Sequence, residues 1–129
     1  MTLTITPVYA AILAVFFVAM SFYVIVTRAK TDVLVGDGGN LDMLVAIRRH
    51  GNLAEYMPFA IVMMALGEIV GLGSAWLHVS GLALIAGRLV HPFGVARENS
   101  PLVPRVAGVL STFAAMLIPG VYILYASFT

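Results

Sequence analysis

Residues 45–58 read VAIRRHGNLAEYMP. The segment is rich in polar and charged side chains, yet the apolar run PFAIVMMAL follows directly. At about 100° per residue in a helix, Arg48, Asn52, Glu55 and Tyr56 share an arc of roughly 100°. Charged side chains that face lipid are costly. We therefore expect these four residues to face a bundle interior or a bound partner.

The composition is that of a membrane protein. Of the 129 residues, 61% are hydrophobic and 10% are charged, whereas about a quarter of the residues in a soluble domain are charged. The chain has no cysteine, which excludes disulfides, thiolate metal sites and a cysteine nucleophile. We expect no metal site and no nucleic-acid partner.

Four apolar segments predict an all-α integral membrane protein, a four-transmembrane-helix bundle forming one domain. A span needs roughly 20 residues, and the predicted spans are approximately 7–27, 43–72, 75–91 and 105–128. Thr6 and Asp42 are the expected caps of the first and second helices. Pro58 and Pro119 are expected to kink the second and fourth helices.

The basic residues indicate the orientation in the membrane. All seven lie in or beside the first and third connections, namely Arg28, Lys30, Arg48, Arg49, Arg88, Arg97 and Arg105. The positive-inside rule then places both connections in the cytoplasm and both termini outside. The Arg48 face and the pair Arg88 and His91 would share the cytoplasmic side, so a common site is expected. Glu68 should lie at the outer interface.

The segment RRHGNLAEYMPF, with GRLVHPFGVAR further along, resembles the MAPEG family, the membrane-associated proteins in eicosanoid and glutathione metabolism. The family pattern R-x-x-x-N-x-x-E-Y-x-P fits the second helix, the third-helix motif is weaker, and the resemblance covers essentially the whole chain. It implies a homotrimer in a bacterial inner membrane. It also implies a glutathione site between neighbouring subunits on the cytoplasmic side.

The resemblance assigns binding roles to residues of this chain. Residues of the family that hold the tripeptide match Arg48, Asn52, Glu55 and Tyr56, and further pocket positions match His50, Arg88 and His91. The chemistry fits, since glutathione has two carboxylates for Arg48 and an α-amino group for Glu55. Its amides suit Asn52, which can both donate and accept hydrogen bonds.

The catalytic half of the family's site departs from the pattern in this chain. Eicosanoid-synthesising members carry tyrosines where this chain has His91 and Val95, and their thiolate-stabilising arginine falls at Leu102. Arg105, one helical turn later, and Arg97 are the catalytic candidates in its place.

Three functions fit these observations. The first is a glutathione-dependent transferase or peroxidase acting on lipophilic electrophiles that arrive from the lipid. The second is a non-catalytic lipid- or glutathione-binding membrane protein of the same fold. The third is a small multidrug transporter, which would need a carboxylate near mid-membrane in the first helix. That helix has none, so Glu55 or Glu68 would have to serve.

Overall fold

Four α-helices follow one another in a computed structural model that describes residues 2–96 and 98–129. The helices are α1 (Thr6–Thr31), α2 (Leu41–Val70), α3 (Ser74–Val90) and α4 (Leu102–Phe128). A 3₁₀ turn, His91–Gly94, continues directly from α3 and is called the 91–94 turn below. The most extensive packing joins α3 to α4, and α2 packs against both α1 and α4. The predicted all-α fold is confirmed for the described residues.

Three of the helices are long and apolar enough to cross a bilayer, namely α1, α2 and α4. With 17 residues, α3 is about 26 Å long, somewhat less than the roughly 30 Å of a hydrocarbon core. The 30 residues of α2 extend over about 45 Å, so this helix is longer than a hydrocarbon core of roughly 30 Å. Both α2 and α4 continue through their internal prolines.

Both predicted helix caps are wrong. Asn40 caps α2, because its side-chain oxygen accepts hydrogen bonds from the backbone N–H groups of Asp42 and Met43 at 2.9 and 3.2 Å. Asp42 is instead a residue of the first turn. At the start of α1, Thr6 lies inside the helix, and the preceding Ile5 makes no side-chain cap.

Glu68, near the end of α2, takes the place of the missing cap of α1. Its carboxylate accepts hydrogen bonds from the backbone N–H groups of Thr4, Ile5 and Thr6 at 2.6, 2.8 and 2.8 Å. The first N–H groups of a helix have no partner within the helix, and a negative charge there is favourable. Glu68 therefore fastens the beginning of α1 to the end of α2.

The core consists of apolar side chains from all four helices. Its buried members are Tyr9, Leu13, Leu53, Met57, Ala60, Met64, Leu84 and Ala115. Many large apolar side chains on the outer faces of the helices are exposed. A soluble monomer rarely exposes so much contiguous apolar surface, and this surface suits contact with lipid.

Glycines bring α3 and α4 into backbone contact near the 91–94 turn. A Cβ atom on Gly108 would lie 2.7 Å from the Cβ of His91 and 2.9 Å from the carbonyl oxygen of Gly87. A Cβ atom on Gly94 would overlap the backbone of Arg105. These contacts place the end of α3 and the turn directly against the beginning of α4.

Candidate functional site

A polar cavity of about 390 Å³ lies between α2, the 91–94 turn and the beginning of α4. Its walls are formed by Arg48, Asn52, Glu55, Tyr56, His91, Gly94, Val95, Ser100, Arg105 and Val109. Small-molecule sites usually enclose roughly 300–1,000 Å³. A larger groove of about 580 Å³, lined by Trp76, Tyr122 and other mostly apolar side chains, lies elsewhere. The smaller cavity is the candidate for chemistry because it holds the charged groups.

The polar face of α2 forms one wall of this cavity. Arg48, Asn52, Glu55 and Tyr56 all line it, as their common helical arc predicts. Arg48 and Glu55 are exposed, whereas Asn52 and Tyr56 are half-buried. The wall therefore presents a cation, a carboxylate, an amide and a phenol to one volume. Their role in binding stays a prediction.

Arg88 lies behind that wall and does not line the cavity directly. Only 2% of its surface is exposed, and its guanidinium donates hydrogen bonds to Oδ1 of Asn52 at 2.7 Å and to the carbonyl oxygen of Gly108 at 2.9 Å. The guanidinium carbon is 5.9 Å from the centre of the Tyr56 ring, within the range of a cation–π contact. Within the described chain, its Nε has no hydrogen-bond partner.

The bond from Arg88 determines how Asn52 can interact with a ligand. A guanidinium can only donate hydrogen bonds, so the Asn52 side chain must turn its oxygen toward Arg88. The amide NH₂ then remains for the cavity. Asn52 is accordingly a donor there, rather than the mixed donor and acceptor that the sequence led us to expect.

His91 and Arg105 contribute from the opposite wall. Burial, together with the positive charges of Arg88 and Arg105, lowers the pKa of His91 to about 4, so the imidazole of the 91–94 turn is neutral at pH 7. Arg105 is exposed in the first turns of α4 and lines the cavity. Among the described residues, the cavity and its backing hold three guanidinium groups and one carboxylate. The site therefore favours an anionic ligand.

One predicted site residue, His50, is not part of this arrangement. His50 faces α1, where Nε2 lies 3.0 Å from Oγ of Ser21 and the imidazole packs 5.0 Å from the Phe17 ring. Ser21 already donates to the carbonyl oxygen of Phe17, so it accepts from His50. Arg97 lies outside the described residues, and its predicted role stays a prediction.

Several residues that line the cavity were not predicted as site residues from the sequence. Gly94 and Val109 carry no polar group and could not be recognised by chemistry. Ser100 lies in a polar linker just before α4, so its position could have identified it as a candidate site residue. In the structure its hydroxyl also accepts a hydrogen bond from the backbone N–H of Ala96 at 3.1 Å, which holds the linker at the cavity edge.

The chain matches known proteins over almost its whole length. The model of the MAPEG family matches residues 6–125. Inner membrane protein YecN of Escherichia coli strain K12 is 36% identical over 114 residues, which are 88% of this chain and 86% of that protein. YecN of Escherichia coli strain CFT073 has the same identity and coverage. No solved structure gives a significant match.

Proposed function

The chain belongs to the MAPEG family, and on that premise we propose that it is a glutathione-dependent membrane transferase or peroxidase acting on lipophilic electrophiles. The observation that carries this proposal is the polar cavity, where the residues of the second-helix motif meet Arg105 and His91. The helices of span length and the family together identify an integral membrane protein. Its lipophilic substrates would reach the site from the bilayer.

The charges of the cavity suit glutathione. Arg48 lies on the cavity wall and can pair with the carboxylates of the tripeptide. Glu55 can accept from its α-ammonium group, and the Asn52 NH₂ can donate to a peptide carbonyl. The buried charge of Arg88 adds a positive potential behind Asn52 and Tyr56. The fit is better for an anionic peptide than for a neutral or cationic ligand.

The proposed mechanism assigns activation of a thiol to Arg105. Bound glutathione supplies a thiol whose ionised form is the nucleophile. A guanidinium near that sulfur favours the ionised form by charge attraction, and Arg105 stands one helical turn beyond the position of the family's thiolate-stabilising arginine. Arg97 remains the second candidate for this role.

The proposal also covers location and assembly. The relatives are named as inner membrane proteins of Escherichia coli, and we extend that location to this chain. Following the family resemblance, the protein would act as a homotrimer, with neighbouring subunits completing the glutathione site. A neighbouring subunit could supply further donors on the open side of the cavity.

Binding variants test the proposed site directly. Arg48→Ala and Glu55→Ala should each weaken glutathione binding by about 1–3 kcal/mol, the value of a hydrogen bond to a charged group with its desolvation. Isothermal titration calorimetry of the purified protein in detergent measures this change. Lys30→Ala, which removes an exposed charge outside the cavity, is the control and should bind as the parent does. Parent-like affinity in both cavity variants would mean that the tripeptide binds elsewhere.

Turnover separates the enzyme from a non-catalytic binding protein. The enzyme should conjugate glutathione to a chlorinated aromatic acceptor, and Arg105→Ala should lose most of that activity while retaining most of its affinity. Eicosanoid-synthesising members have tyrosines or an arginine at the positions of His91, Val95 and Leu102. Because this chain lacks those side chains, a non-catalytic lipid- or glutathione-binding protein is the alternative function. Binding without turnover would establish that second function.

A further inference from the structure

A second groove lies beside a different face of α2, between α1 and the end of α3. It encloses about 380 Å³ and is lined by Phe16, Met20, Arg49, Leu89, Pro92 and Phe93. Apart from Arg49, these side chains are apolar. None of the six lines the polar cavity, because Arg48 and Arg49 point about 100° apart on the helix. The groove is therefore separate from the polar cavity.

Arg49 is held in place without a counter-ion in the described chain. Its Nε donates to the carbonyl oxygen of Val95 at 2.9 Å, and one terminal nitrogen lies 3.4 Å from the hydroxyl of Tyr23. The guanidinium carbon is 6.0 Å from the centre of the Tyr23 ring. These partners are a carbonyl, a hydroxyl and a ring, and none carries a full negative charge. Since a guanidinium has five N–H donors, most of them remain for a ligand.

The groove is charged at one end and apolar at the other. Along α1, Tyr23 beside Arg49 is followed by the basic residues Arg28 and Lys30, whereas Phe16 and Met20 lie within a charge-free run. Phe16 and Met20 are about 6 Å apart along the helix axis, and Arg49 contacts Tyr23 one turn closer to the basic residues. Phe93, with 72% of its surface exposed, stands at its edge. This polarity matches a molecule with an acidic head and an aliphatic chain.

We propose that this groove binds one anionic phospholipid, with its phosphate on the Arg49 guanidinium and an acyl chain along Phe16 and Met20. Anionic lipids are attracted to basic residues near a membrane surface, and a guanidinium binds phosphate through paired N–H donors. Val95 ties the lipid site to the polar cavity, since its carbonyl accepts from Arg49 while the residue lines that cavity. The lipid site itself does not depend on glutathione binding.

Native mass spectrometry of the full chain, with phosphatidylglycerol or phosphatidylcholine added to the detergent, tests the proposal. The parent should retain one phosphatidylglycerol per chain in preference to phosphatidylcholine, and an excess of inorganic phosphate should not displace it. Arg49→Gln should weaken phosphatidylglycerol retention by about tenfold, the loss expected for a hydrogen bond to a charged group. Arg49→Lys keeps the charge and should retain most of the binding.

Two further variants distinguish lipid binding in the groove from a general attraction of lipid to surface charge. Met20→Trp should fill the apolar end and reduce lipid retention with every charge still present. Lys30→Gln removes a basic residue from the same side of the membrane and should bind lipid as the parent does. Equal losses in Arg49→Gln and Lys30→Gln, or undiminished binding in Met20→Trp, would overturn the proposal. An assembly of several chains that retains no lipid would show that a second copy covers the groove, which overturns it as well.

Discussion

At the scale of single residues, the orientation of one amide decides what the cavity recognises. Asn52 turns its oxygen toward buried Arg88 at 2.7 Å, and its NH₂ group is therefore left for the ligand. Without this bond the amide could rotate and present either group, because its oxygen and nitrogen are nearly equal in size. Arg88 is accordingly a positioning residue for Asn52.

Asn52→Asp tests this assignment. The new carboxylate would still accept from Arg88, so thermal stability in detergent should be kept, but it would place an acceptor where the cavity now has a donor. We expect glutathione affinity to fall by roughly 1–3 kcal/mol, measured by calorimetry. Asn40→Asp makes the same chemical change at the cap of α2, where both residues serve well, and should leave affinity unaltered. Undiminished affinity in Asn52→Asp would contradict the donor role.

At the scale of the helices, the close crossing of α3 and α4 builds the far wall of the cavity. The backbones meet where Gly108 packs against Gly87 and His91, and the Gly108 carbonyl accepts from Arg88. Such contacts depend on the absence of a side chain. A methyl group on Gly108 would force the two helices apart and displace both Arg88 and His91.

Gly108→Ala should therefore lower both stability and glutathione affinity. Overpacking of a tight contact costs about 1–3 kcal/mol, which thermal unfolding in detergent would detect. Gly120→Ala on the same helix is the matched control, because its Cβ would meet only the flexible end of Met63 at 3.4 Å. It should be neutral or slightly stabilising, since alanine is the better helix former. Equal behaviour of the two variants would show that the crossing tolerates a side chain.

At the same scale, Glu68 joins the end of α2 to the start of α1. One carboxylate accepts from three successive backbone N–H groups, so its capacity is used for structure. A transporter would need a carboxylate that is available to bind and release its ions. Glu68 therefore does not support the multidrug-transporter function.

Glu68→Gln should destabilise the protein. An amide has one acceptor oxygen, and its NH₂ group would face the N–H donors of α1, so we expect a loss of about 1–3 kcal/mol in thermal unfolding. Glu98→Gln removes an exposed carboxylate in the linker before α4 and should leave the unfolding temperature unchanged. A Glu68→Gln protein as stable as its parent would show that the N–H groups find other partners.

At the scale of the whole molecule, the seven basic residues predict which end of the bundle faces the cytoplasm. The chain has no cysteine, so single cysteines can be labelled without background. Leu34→Cys lies in the first connection, where Leu34 is 84% exposed, and Thr129→Cys marks the last residue. In spheroplasts an impermeant maleimide should label only Thr129→Cys, and Leu34→Cys should react after lysis. The reverse pattern would invert the proposed topology.

Much of the architecture could be predicted, because apolar runs and helical periodicity are local properties of the chain. The predicted second span, 43–72, is shifted by two residues from the observed Leu41–Val70. The apolar run ends at Val26, whereas α1 continues through polar residues to Thr31, beyond the predicted span 7–27. The close packing at Gly87 could not be predicted, because its partners lie on α4.

The polar face of α2 followed from the sequence alone, since four side chains on one helical arc must face the same way and lipid penalises charge. The family followed too, because the spacing of those residues is a linear pattern. Which groups meet that face was decided by the folded chain. Packing of α3 on α4 buried Arg88 behind Asn52, brought Arg105 to the cavity and directed His50 toward α1. Contacts between helices depend on interaxial distance and rotation, and no single segment encodes either.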